Sequence, residues 1–132
     1  MSAQTAHQIY KQNSVNTASP GDLTLLLYNG CLKFLNKAKV AISEADIQVK
    51  NINLQKAQKI ISELIVTLNM DYEISSSMLN MYEYMNRRLI EANIKNDAQI
   101  IEEIEGYVVE FRDTWKEVIK INRQNSFSGN QA

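Results

Sequence analysis

The side chains able to do chemistry are few and scattered. His7 is the only histidine and Cys31 the only cysteine. A histidine-based metal site wants two or three such ligands, and a di-iron bundle wants paired Glu-x-x-His motifs, which do not occur. A phosphotransfer bundle would place its histidine mid-helix, whereas His7 stands near the N-terminus and reads as a solvated residue. A reactive thiol wants a base or cationic neighbour. Cys31 sits among leucines, and Lys33 projects elsewhere on a helix, so the thiol reads as buried and structural. Glu102, Glu103, Glu105 and Glu110 include carboxylates near enough in sequence for acid–base work. They fall on the wet face of a long helix, where a solvated face is the simpler reading. Arg87-Arg88 and the lysines 33, 37 and 39 form small basic patches, too sparse for nucleic acid but suited to an acidic partner. No G-x-G-x-x-G, P-loop, G-x-S-x-G or C-x-x-C is present. The expectation is a protein that is not an enzyme and uses no metal or cofactor.

The elements that carry these residues follow from length and composition. The chain has 132 residues, 45% hydrophobic and 22% charged, which suits a single folded domain. Its 14 basic and 15 acidic residues leave a net charge near −1, against the basic footprint that nucleic acid requires. A single cysteine excludes an internal disulfide framework and suits a reducing compartment. No apolar run approaches the ~18–20 residues that span a bilayer. The opening MSAQTAHQIYKQNS has no basic n-region or apolar h-region, so no signal peptide is expected there and the location expected is cytoplasmic. One proline and four glycines are too few turn residues for an all-β domain, and the abundance of helix formers points to long helices.

Ser19-Pro20-Gly21-Asp22 predicts a helix start, with Ser19 as N-cap, Pro20 in the first turn and Asp22 near the positive end of the dipole. This helix carries two stripes. One is Leu23, Leu27, Phe34, Ala38, Ala41 and Ala45, with Gly30 and Cys31 in it; the other is Leu25, Tyr28, Leu32, Leu35 and Ile42. A second helix is predicted over about Val49–Leu68, a third over Glu73–Asn93 with a Glu83–Arg87 pair on its wet side, and a fourth, capped by Asp97, over Ala98–Arg123. Short connections force antiparallel neighbours. The expected fold is all-α: an up-down-up-down four-helix bundle over 19–123, an N-terminal arm or short cap helix over 1–18, and a flexible tail over 124–132.

Apolar residues exceed what such a bundle needs. The surplus lies at Leu25, Leu26 and Tyr28, at Met78, Leu79, Met81, Tyr82, Tyr84 and Met85, and at Ile9 and Tyr10 in the arm. Surplus apolar surface is normally a binding surface, and methionine suits grooves that accept other helices. The arm is positioned to fold over such a groove and compete with a partner. Two other readings stay open: a generic interaction module for a different amphipathic partner, and an enzyme with a metal–carboxylate site inside the bundle.

Tyr10, then Val15-Asn16-Thr17-Ala18-Ser19-Pro20, then Leu23 and Leu27-Tyr28-Asn29-Gly30 resemble the N-terminal signature of the flagellin export chaperone family (FliS). The run from Met81-Tyr82-Glu83-Tyr84 to Glu91-Ala92-Asn93 is similar to that family's second signature, and Trp115 matches its late tryptophan. Met81 departs from the usual leucine. The resemblance covers about residues 8–120. It implies a bundle with an N-terminal cap segment and a cytoplasmic chaperone that binds the flagellin C-terminal segment one to one. It also implies that the chaperone prevents premature polymerisation and delivers its client to the flagellar type III export gate, with self-association when free. Combined with the surplus positions, it implies a flagellin-binding groove of Leu25, Tyr28, Asn29, Met78, Tyr82 and Met85, covered by Ile9 and Tyr10. Asn29 and Asn93 are then placed to pair with extended client backbone. Neither nucleic acid nor membrane insertion is implied.

Overall fold

A computed structural model of the chain describes residues 20–131, with side chains described for residues 21–125. The arm with Ile9 and Tyr10, and the capping role of Ser19, lie outside the described residues. Four helices follow in order: α1 (Pro20–Ser43), α2 (Ile47–Thr67), α3 (Glu73–Lys95) and α4 (Ala98–Gln131). Each packs on the next, and α4 closes the ring against α1. Contacts run in opposite sequence order across each pair. Trp115 of α4 meets Gly21 while Glu105 meets Lys39, and Asn51 of α2 meets Asn93 while Ser62 meets Asn86. The bundle is therefore antiparallel, as short connections require.

The turns show why the helices stop where they do. At the end of α1, Ala45 takes a left-handed conformation (φ 57°). The Asp46 N–H donates back to Ala41 O at 2.8 Å and the Ala45 N–H to Ile42 O at 3.1 Å. This crossed pair satisfies two of the orphan carbonyls of a helix end. Asp46 then accepts the Val49 N–H at 3.1 Å, so α2 starts at Ile47, two residues before the sequence-based expectation. Asn96 repeats the left-handed turn (φ 52°) after α3, and Asp97 caps α4 by accepting the Gln99 N–H at 2.9 Å, as expected. Lys50, only 4% exposed, reaches across from α2. Its ammonium donates to Asn93 O at 2.9 Å and to Asn96 Oδ1, placing a cation on the negative end of α3.

Two further expectations change. The helix α4 continues to Gln131, past the expected end at Arg123 and through the segment read as a tail. The Glu83–Arg87 pair does not form; Arg88, one residue on, bonds instead to Glu91 and across to Glu103 of α4. Arg88 has two carboxylates in reach, one along α3 and one on α4, whereas an exposed i,i+4 pair such as Glu83–Arg87 is worth only a few tenths of a kcal/mol.

The core takes residues from both expected stripes of α1: Leu27, Cys31 and Ala38 from one, Tyr28 and Leu35 from the other. Leu54, Ile61 and Leu64 of α2, Leu89 of α3, and Ile101, Ile104 and Val108 of α4 complete it. A Cβ on Gly30 would stand 3.3 Å from Ile60 Cδ1, so glycine lets α1 approach α2 closely here. Cys31 is fully buried, and burial followed by the nearby charge of Glu105 pushes its thiol up to about 12. It is a core residue, as expected.

Candidate interaction surface

The expected site residues divide into two layers. Tyr28 and Tyr82 are each 1% exposed and Met85 is 0% exposed. All three belong to the core rather than to an open groove wall. The reason lies on the facing helix. Phe111 of α4 stacks on Tyr28 with centroids 6.1 Å apart and tilts against Tyr82 at 5.5 Å. Inside this apolar box the two tyrosine hydroxyls lie 2.7 Å apart and share one hydrogen bond, so neither is left orphaned. Burial raises both phenols above their ordinary value, which keeps them neutral.

Leu25 and Met78, about one turn before Tyr28 and Tyr82 respectively, are half-buried, and Asn29 is exposed. None of the surplus residues of α1 and α3 stands fully open. The exposed large apolar side chains are others, among them Val66, Tyr72, Ile74 and Ile94.

Leu25 nonetheless lines a groove. Between the start of α1 and the late part of α4 lies an open depression of about 330 Å³ lined by Asp22, Leu25, Lys116, Ile119, Lys120, Arg123 and Gln124. Leu25 and Ile119 supply its apolar lining, and three cations stand around it. Arg123 bonds both carboxylate oxygens of Asp22 at 2.9–3.0 Å, tying the two walls together. Trp115 adds a second tie, its indole N–H donating to Gly21 O at 2.8 Å. The aromatic layer of Phe111, Tyr28 and Tyr82 follows about one turn further along α1 and α4. The arrangement can accept an amphipathic helix with its apolar face inward.

Sequence reasoning named Leu25 for this groove but not Ile119, Lys116, Lys120 or Arg123. Little in the sequence marks them, since the fourth helix is expected to end at Arg123 and its run past the start of α1 shows only in the structure.

Among the described residues no three His, Cys, Asp or Glu side chains gather to hold a metal, and no helix is long and apolar enough to cross a membrane. Fold and surface together define an antiparallel four-helix bundle with an open, partly apolar groove between its first and last helices. Comparison with known proteins makes that class specific. Residues 2–122 match the family model described as flagellar protein FliS. The flagellar secretion chaperone FliS of Bacillus subtilis (strain 168) is 56% identical, over 95% of this chain and 94% of that protein. The Salmonella typhimurium protein of the same name is 35% identical, over 84% of each chain. A solved structure described as a flagellar chaperone from bacteria superposes with a TM-score of 0.73 at 21% identity, covering 90% of this chain and 98% of that one. The chain belongs to the FliS family of flagellar secretion chaperones, a family of chaperones and not of enzymes.

Proposed function

We propose that the protein is a cytoplasmic chaperone that holds the C-terminal segment of unassembled flagellin, one to one. In this reading it blocks premature polymerisation and delivers the client to the flagellar type III export gate. The observation that carries the reading is the α1–α4 groove on a chain of the FliS family: an apolar lining of Leu25 and Ile119, cations around it, and a packed aromatic layer one turn away. A client helix would seat its apolar face on that lining, at about 25 cal/mol per Å² buried, less the cost of ordering the segment. Asn29, exposed one turn along α1 from Leu25, flanks the contact, whereas Asn93, whose amide donates to Asn51 at the other end of the bundle, takes no part in it. Tyr28, Tyr82 and Met85 act from the neighbouring layer, as the support that fixes the groove's shape.

The arm, through Ile9 and Tyr10, covers the groove in the free protein in this account, and an uncovered groove is where two free chains would pair. Removing residues 1–14 should then strengthen client binding. The test is to mix the full chain with its own organism's flagellin and size the product by light scattering during chromatography. A one-to-one complex that resists seeded polymerisation, and that is lost when flagellin lacks its C-terminal segment, supports the proposal. Equal binding to flagellin without that segment contradicts it.

A further inference from the structure

The far side of α1 carries a charge pattern that the groove does not use. Six lysines on α1 and α2 (33, 37, 39, 50, 56 and 59) face only Asp22 and Glu63 as acids on the same helices. Lys39 is committed to Glu105 at 2.6 Å and Lys50 to the end of α3. The other four are divided between the two helices of the α1–α2 pair, Lys33 and Lys37 on α1 and Lys56 and Lys59 on α2. Phe34 marks the spot: Lys33 lies 5.8 Å and Lys56 5.3 Å from its ring centroid, one cation from each helix over one half-buried aromatic. Lys37 follows Lys33 by one turn, and Lys59 follows Lys56 at i+3, so the same stripes continue on both rails. Exposed Val40 and Ile52 extend those stripes with apolar surface. None of the four lysines has an ion-pair partner among the described residues. This concentration sits on a chain whose net charge is −1, because α4 carries six acids against four bases and Glu44, Asp46, Asp71 and Asp97 stand in the turns.

We propose that the outer α1–α2 seam around Phe34 is a second docking surface, for an acidic amphipathic helix of a partner protein. A helix laid along the seam sets carboxylates at i and i+3/i+4 against both lysine rails. Its apolar residues cover Phe34, Val40 and Ile52. Charge complementarity selects the partner and speeds its approach. The same observations disfavour RNA. The cations are few and contain no arginine, and the Phe34 face is already occupied by two ammonium groups, so no ring is open for base stacking. Asp22 and Leu25 meet α4, whereas Phe34 meets α2, so this surface and the groove can be filled together.

The test is amide NMR of the full chain titrated with two designed amphipathic peptides about 18 residues long, long enough to hold a helix. One flanks its leucine face with Glu; the control has Lys at every Glu. The acidic peptide should shift amides of 30–40 and 52–60 and weaken at least tenfold between about 0.05 and 0.5 M salt. It should also weaken at least tenfold with Lys37→Glu/Lys59→Glu, whose far-UV helical signal should match the parent. Absence of shifts at this seam, equal binding by the basic peptide, or tighter binding there by a short oligouridylate would overturn the proposal.

Discussion

Leu25 and Tyr28 stand about one turn apart on α1, belong to one apolar stripe, and meet opposite fates. Tyr28 is sealed between Phe111 and Tyr82, whereas Leu25 lines an open groove with Ile119. Nothing local to α1 separates them. The difference is set by what α4 and α3 bring opposite: an aromatic ring and a matching hydroxyl at one level, solvated lysines at the next. A large apolar side chain in a bundle is therefore core or contact according to its cross-helix partner. The layer that is closed gives the layer that is open its shape.

Charge placed in each layer should break that comparison most visibly. Met85→Glu buries an unpaired carboxylate and should cost about 4 kcal/mol or more, read as lost far-UV helical signal or a collapsed urea midpoint. Tyr28→Phe is gentler and sharper. It leaves the Tyr82 hydroxyl buried without a partner and should cost about 1–3 kcal/mol, while Tyr28→Phe/Tyr82→Phe should cost less than the two single changes summed. Strict additivity in urea unfolding would show that the two hydroxyls are not coupled. Leu25→Glu, in the open layer, should leave the helical signal intact and lower stability by about 1 kcal/mol or less, while weakening client binding at least about tenfold.

The smallest effect concerns the surface network on the opposite flank. The Tyr84 hydroxyl, 2.7 Å from Glu103, and then Arg88 hold that carboxyl below its usual value of 4.5. A depressed folded value stabilises above the unfolded value, and the contribution is lost as pH falls through the folded one. Urea midpoints of the parent and Glu103→Gln should therefore differ slightly near neutrality and converge in acid. A gap that widens in acid would reverse the sign.

Much of the fold was legible in sequence because helix ends are local chemistry. Pro20 and Asp97 marked starts, and Asn96 tolerates the left-handed turn that ends α3. Ala45 gave no such warning, since alanine ordinarily avoids that conformation and only the crossed hydrogen bonds to Ala41 and Ile42 hold it there. The groove was half legible. Leu25 was found because α1 is apolar nearly all round at 23–28, a local property. Tyr28, Tyr82 and Met85 were read as groove because the pattern counts apolar residues without locating the rings that cover them. Lys50 escaped for the same reason: a lysine on α2 looks solvated until the end of α3, over 40 residues later, comes into reach.

The central claim is that the α1–α4 groove receives the flagellin C-terminal segment. Calorimetric titration of the protein with that segment from its own organism, repeated with Leu25→Glu, tests it most directly. The account predicts a one-to-one complex with a large negative heat-capacity change for the parent, and binding at least about tenfold weaker for the variant. Equal affinity in the two proteins, or no binding by the parent with or without residues 1–14, would contradict it.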